Sequence, residues 1–320
     1  MKVAIWTPSS PAPFLFPKRF KRSLNNLRVF ANTIIYGKSS TYNLNYVRNF
    51  QFDIVDEFHS YILDESIDLI ILSTGGWTSI SLLKHINWDF IKNNPKPIIG
   101  YSDTTSLLLS IYAKTDVTTY HGPMLISEWG NISGINDYTL NYFKKALNNK
   151  NIYIKNSKEW SEETLWWDKE DYREKRTNPN KEWFFLKNGI CKGKLVGGNL
   201  TTLLPLLGTE FMPKLKNTIF FIEDQELSAD KFISMLYTLK LHNVFDEISG
   251  LIVGKIANKK NASNGFSDFT EALNIVISEY DFPVIMGVDL GHTDPMITLP
   301  IGALAELNSQ KKVFRINLEE

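Results

Sequence analysis

The stretch Pro97-Ile98-Ile99-Gly100-Tyr101-Ser102-Asp103-Thr104 runs from a short apolar strand almost directly into a helix spanning Thr104 to Ala113. A buried strand joined to a helix by a tight turn is the repeating unit of an α/β sheet. The neighbouring sequence repeats it. Val3 to Trp6 reads as a first strand closed by Thr7-Pro8-Ser9-Ser10-Pro11, Thr33 to Tyr36 as a second, and Ile67 to Leu72 as a third, broken by Ser73-Thr74-Gly75-Gly76. Between them Phe52, Val55, Phe58, His59 and Ile62 recur at helical spacing, and Ile80, Leu82 and Leu83 begin another helical pattern. This order predicts an open, mainly parallel sheet with flanking helices. In such sheets ligands bind beyond the carboxyl ends of the strands. The loops Pro8–Ser10, Gly75–Trp77 and Tyr101–Asp103 are therefore expected along one edge.

The second half reads as mixed α/β. Lys194 to Asn199 suggests a strand and turn, Thr218 to Ile222 a strand, Ala229 to Leu241 an amphipathic helix, Leu251 to Val253 a strand, and Val284 to Ile316 several short β runs. Between the halves charges crowd together with Trp160, Trp166, Trp167, Tyr172 and Trp183, which include half of the eight tryptophans. That segment is too polar for a core and too aromatic for a passive linker, so it is expected to be an ordered functional loop. The domain reading is 1–155, a loop at 156–190, and 191–320.

With 320 residues, 43% hydrophobic and 22% charged, the chain has the composition of an ordinary soluble globular protein large enough for two domains. Lys+Arg and Asp+Glu balance at 35 each, which removes any whole-molecule attraction to nucleic acid or an anionic membrane. The single cysteine, Cys191, permits no internal disulfide and no cysteine-built metal centre. The histidines show no paired spacing with acids, so no metal and no cofactor are expected. No apolar run approaches the length of a membrane span, and a cytoplasmic protein is expected.

Ser102 has two local readings. A serine on a sharp strand-to-helix turn presents its hydroxyl above the sheet, and the amide of Asp103 at the helix start could receive an oxyanion. Equally, Ser102 or Asp103 could cap the helix, and the second glycine of the usual Gly-x-Ser-x-Gly elbow is missing. A nucleophilic serine requires a base. Of five histidines, His121 in His121-Gly122-Pro123 and His292 in Gly291-His292-Thr293-Asp294-Pro295 stand in loops of the catalytic kind. Glu223 and Asp224 follow the apolar run Phe220-Phe221-Ile222, where an acid could orient a base or merely end a strand. Gly75 and Gly76 could add a second oxyanion amide or form only a turn.

Seven motifs taken together resemble the LD-carboxypeptidase serine peptidases (family S66), and within them the branch of the microcin C self-immunity peptidase. They are Thr7-Pro8-Ser9-Ser10-Pro11, Ser73-Thr74-Gly75-Gly76, Ile99 to Thr105, Tyr120-His121-Gly122-Pro123, Leu195-Val196-Gly197-Gly198-Asn199-Leu200, Phe221-Ile222-Glu223-Asp224 and Gly291 to Met296. The resemblance implies a flavodoxin-like N-terminal unit and a smaller C-terminal mixed α/β unit of the swivelling β/β/α type. It also implies a Ser–Glu–His triad at Ser102, Glu223 and His292, with oxyanion amides at Asp103 and at Gly75 or Gly76. Asn199 and His121 would lie by the substrate. The glycine turn departs from the family pattern by one residue, and Thr78 stands where the family has asparagine, so the identity of the second amide stays open.

Within the family two substrates compete. One is a peptidyl or aminoacyl adenylate joined through an amide-like bond; the other is the murein tetrapeptide. The tryptophan-bearing insert favours the first, with Trp166 or Trp167 stacking on a base and Arg173 or Arg176 meeting an anion. The resemblance further suggests a homodimer. From a different class, the fold could survive as a ligand-binding protein with an idle triad.

Overall fold

The computed structural model describes residues 1–43, 51–148, 151–261 and 268–317. The first half contributes β1 (Lys2–Trp6), β2 (Thr33–Tyr36), β3 (Leu69–Leu72), β4 (Ile98–Gly100) and β5 (Thr119–His121). These run parallel in the order β2-β1-β3-β4-β5. This is the doubly wound flavodoxin-type order, whose ligand crevice opens where the chain switches direction beside β1 and β3. The sheet is buried because both faces are covered. On one side the helix Gln51–Leu63 turns Ile54, Val55, Phe58 and Ile62 inward, and Phe58 stacks on Trp6 at 4.2 Å.

The remaining strands are β6 (Ile152–Tyr153), β7 (Glu159–Trp160), β8 (Asn178–Pro179), β9 (Phe184–Lys187), β10 (Ile190–Asn199), β11 (Ile219–Glu223), β12 (Gly250–Gly254), β13 (Val284–Val288), β14 (Leu299–Ile301), β15 (Leu304–Asn308) and β16 (Val313–Asn317). Eight of them form a mixed sheet, β6-β16-β15-β10-β11-β12-β13-β9, parallel through β10 to β13. The two α/β units exchange strands across the sequence boundaries at 155 and 190. β6 joins the second sheet, β14 adds antiparallel to β5 of the first, and β9 pairs with β13.

Several elements depart from their sequence reading. The helical pattern at Ile80–Leu83 is only a 3₁₀ turn, Ser79–Leu82, and the helix begins later, at Trp88, where the Asn87 side chain accepts from the amides of Asp89 and Phe90. Gly197 and Gly198 do not form a turn: β10 continues through them to Asn199. Their bareness serves close approach, since a Cβ on Gly197 would fall 1.8 Å from the Phe221 carbonyl oxygen and one on Gly198 would fall 2.5 Å from the Thr105 methyl. Among the described residues no helix is long and apolar enough to cross a membrane.

The insert is held to both units. Asp168 accepts from the amides of Lys18 and Arg19, capping the start of the helix Pro17–Leu27 from outside it. Three residues on, the buried carboxylate of Asp171 pairs with Arg19 at 2.8 Å and with Arg22. Toward the second unit, Ser161 and Asp294 exchange both backbone hydrogen bonds. Asp171→Ala would leave the Arg19 guanidinium charged and unpaired in the interior, so a loss of about 3–5 kcal/mol in unfolding free energy is expected from denaturant titration.

Candidate active site

The carboxyl ends of the parallel strands in both units converge on one cavity of about 810 Å³. β4 delivers Ser102, β10 delivers Asn199, β11 delivers Glu223, and the loop after β13 delivers His292. Ser102 Oγ lies 3.0 Å from His292 Nε2, and His292 Nδ1 lies 2.7 Å from Glu223 Oε2. The sequence separation of 190 residues between serine and histidine is closed by the meeting of the two units.

Ser102 has φ +60, the left-handed region that non-glycine residues seldom occupy. Strain of this kind holds a serine hydroxyl clear of the turn beneath it. Neither Ser102 nor Asp103 caps the helix that follows. Instead the Asp103 carboxylate reaches back to accept from Ser9 Oγ at 2.5 Å and from the amides of Thr78 and Ser79 at 3.1 and 3.0 Å. Asp103 therefore fixes the Ser73–Thr78 loop against the serine. The fit is close: a Cβ on Gly75 would sit 2.8 Å from Ser102 Oγ. The Gly75 carbonyl accepts from the amide of Ser10 at 3.1 Å. Because a trans peptide points its C=O and N–H in opposite directions, the Gly76 amide is turned away from Ser10.

The electrostatics favour a basic imidazole. Burial alone would lower the pKa of His292, but the charge and hydrogen bond of Glu223 outweigh it, and the net shift is upward from 6.5. Burial pulls Glu223 upward, yet the same pairing keeps it below its ordinary value. The carboxylate accepts Nδ1–H, which leaves Nε2 as the acceptor facing the serine hydroxyl. Such an arrangement can take a proton from Ser102 and return it to a leaving group.

The other expected contacts divide. Asn199, Trp167 and Arg173 line the cavity, whereas Trp166, Arg176 and His121 do not. Trp166 is 64% exposed, with Lys169 over its ring. The Arg176 side chain is 83% exposed, and its guanidinium meets Glu163 at 3.4 Å. Arg173 forms a bidentate pair with Glu163 through both of its terminal nitrogens. His121 is corrected from a wall of the site to a position behind it. It is fully buried, edge-on to Tyr101 and Phe221, and burial drives its pKa down to about 4.

Two neighbours escaped the sequence reading. The Tyr101 ring packs edge-on against His292 with centroids 5.0 Å apart, and its hydroxyl donates to Glu128 at 2.8 Å. Burial raises Glu128 to about 7 despite its bonds from Tyr101 and the Met124 amide. Tyr101 lay inside the serine motif, but Glu128 sits in an isolated π-helical turn, Leu125–Trp129, with no sequence signature.

Comparison with known proteins identifies the family. The LD-carboxypeptidase N-terminal domain matches residues 3–122 and the LD-carboxypeptidase C-terminal domain matches residues 192–307. The chain belongs to the LD-carboxypeptidase family. Within that family it is 34% identical to the microcin C7 self-immunity protein MccF of Escherichia coli, over 98% of this chain and 92% of the relative. A solved structure of MccF in complex with aspartyl sulfamoyl adenosine superposes with a TM-score of 0.92 at 33% identity, covering 100% of this chain and 96% of that one. A protein of Bacillus subtilis named "Probable murein peptide carboxypeptidase" is 26% identical over 97% of this chain and 89% of its own length. The relatives thus include a microcin self-immunity protein solved with an aminoacyl sulfamoyl adenosine and a protein named for a murein peptide.

Proposed function

We propose that this protein is a serine amidohydrolase that cleaves aminoacyl or peptidyl nucleotides joined through an amide-like bond. The observation that carries the reading is the continuous hydrogen-bonded path from Ser102 through His292 to Glu223, set on the strained turn after β4. The substrate class is supported by the likeness to MccF and its complex with an aminoacyl sulfamoyl adenosine.

His292 Nε2 takes the Ser102 proton as Oγ bonds to the acyl carbon. The oxyanion is received by the amides of Asp103 and Gly76, donors of a kind worth about 3–4 kcal/mol each. As the C–N bond breaks, His292 passes the proton to the departing nitrogen, leaving an ester on Ser102. Water then gives a proton to His292 and its oxygen to the acyl carbon; the acid departs and the proton returns to Ser102. Glu223 remains ionised and stabilises the imidazolium at each stage.

The test offers purified protein an aminoacyl sulfamoyl adenosine and an L,D-linked tetrapeptide in parallel, comparing kcat/KM. Faster cleavage of the first is expected. Cleavage of the tetrapeptide alone would overturn the nucleotide reading and favour a murein substrate.

A further inference from the structure

Resting on the serine amidohydrolase reading, we infer that Asp103 is a positioning residue as well as an amide donor: its carboxylate holds the glycine turn after β3 at a fixed distance from Ser102. The rate of the chemical step would then depend on a side chain that touches neither the substrate nor the triad.

The turn Ser73–Thr78 carries Gly75 and Gly76. Its near end is set by the sheet, since the Ser73 amide donates to the Trp6 carbonyl at 2.8 Å. Its far end is held by a side chain from another element. Asp103 Oδ2 accepts from the Thr78 and Ser79 amides at 3.1 and 3.0 Å and from Ser9 Oγ at 2.5 Å. The Asp103 carbonyl takes a further bond from Ser79 Oγ at 2.7 Å. Three donors on one carboxylate oxygen, in a residue only 6% exposed, are charge-assisted bonds that water competes for poorly.

The spacing leaves little slack. A Cβ on Gly75 would fall 2.8 Å from Ser102 Oγ and 3.4 Å from the Asp103 nitrogen, so the turn lies against both the nucleophile and the first amide. On the opposite flank, a Cβ on Gly76 would fall 2.3 Å from Ser9 Oγ, the same hydroxyl that donates to Asp103. An oxyanion donor acts only when held about 2.7–3.1 Å from the place where charge develops. Removing the Asp103 carboxylate frees the far end of the turn, and the Gly76 amide moves with it. Ser102, His292 and Glu223 keep their mutual bonds. The loss should therefore fall on the transition state and spare the bound substrate.

Two measurements on purified variants test this role. The first is turnover of an aminoacyl sulfamoyl adenosine. The second is inhibition by an aminoalkylboronic acid, whose boron takes an electron pair from Ser102 Oγ as the serine proton passes to His292, leaving a tetrahedral adduct with an oxygen in the oxyanion position. Asp103→Ala should lower kcat on the order of 100-fold and weaken boronate inhibition by a similar factor. Ground-state binding should not follow: the sulfamoyl adenosine should bind the double variant Ser102→Ala, Asp103→Ala as tightly as it binds Ser102→Ala. Asp103→Asn keeps an oxygen for the two amides and should recover part of the loss; it carries the test if the alanine variant does not fold. Unchanged kcat in Asp103→Ala, or equal losses in ground-state binding and boronate inhibition, would overturn the inference and leave the hydrolase reading standing. A parent that cleaves nothing, or a Ser102→Ala variant that cleaves as the parent does, would bring down both.

Discussion

Ser102→Ala is expected to lower kcat for amide hydrolysis by a factor on the order of 10⁶ and to leave the fold intact. The substitution removes one oxygen whose described partner is His292 Nε2 at 3.0 Å. It neither fills nor empties the core, because Ser102 stands at the cavity wall. It retains the strained backbone, since alanine at φ +60 has the same Cβ to accommodate as serine. What disappears is the atom proposed to form the acyl ester. The residual rate should come from the oxyanion amides and from binding alone. Combining it with His292→Ala should cost little more than either change singly, because the two groups act in one proton transfer. Steady-state assays, with circular dichroism and Tm recorded on each variant, make the check. Turnover unchanged in Ser102→Ala would move the chemistry elsewhere, and a parent protein that binds the nucleotide but never cleaves it would revive the idle-triad alternative.

Three of the parallel strands in the first unit were legible because each, buried on both faces, reads as an unbroken apolar run ending in a turn. Val3–Trp6, Ile67–Leu72 and Pro97–Gly100 needed only that pattern. Glycine was less readable, for the same residue serves turns and close approaches. Gly197 and Gly198 looked like the end of β10, but the strand continues and their lack of side chains admits the Phe221 backbone and Thr105. Strand exchange was illegible for a different reason: β6, β9 and β14 are two to four residues long, and nothing local marks which sheet will accept them. The site divides along similar lines. Ser102, Glu223 and His292 stand in motifs with turn chemistry around them, and the structure brings all three together. Ring orientation in the insert depends on what lies opposite. Trp166 and Trp167 are neighbours in sequence, yet one faces solvent and the other is covered by Arg19. Asp168 and Asp171 decide this by fixing the loop to the helix Pro17–Leu27, a long-range contact that no spacing rule reveals.

Glu223→Gln should lower kcat by about 10⁴ and also move the acid limb of the pH–rate profile, and the second effect separates a charge role from mere packing. Glu223 is completely buried and keeps its charge because His292 shares it. In the parent, burial lowers the imidazole pKa and the carboxylate raises it, with a net rise above 6.5. The base acts only when neutral, so parent activity should grow with pH through a midpoint above that value. Glutamine keeps the shape and removes the charge. Burial then acts without opposition, and the midpoint of the residual activity should fall below 6.5, so the variant would lose less of its activity on acidification than the parent does. An amide in this position can also donate to Nδ1, holding the imidazole in the tautomer whose Nε2 carries the proton and cannot accept from Ser102. That tautomer accounts for most of the expected loss of rate. Profiles of kcat/KM from pH 4 to 9 for both proteins decide the matter. A midpoint that does not move, whatever the drop in rate, would mean that the Glu223 charge does not govern His292, and the proposed role of the carboxylate would fail even if Ser102 proved to be the nucleophile.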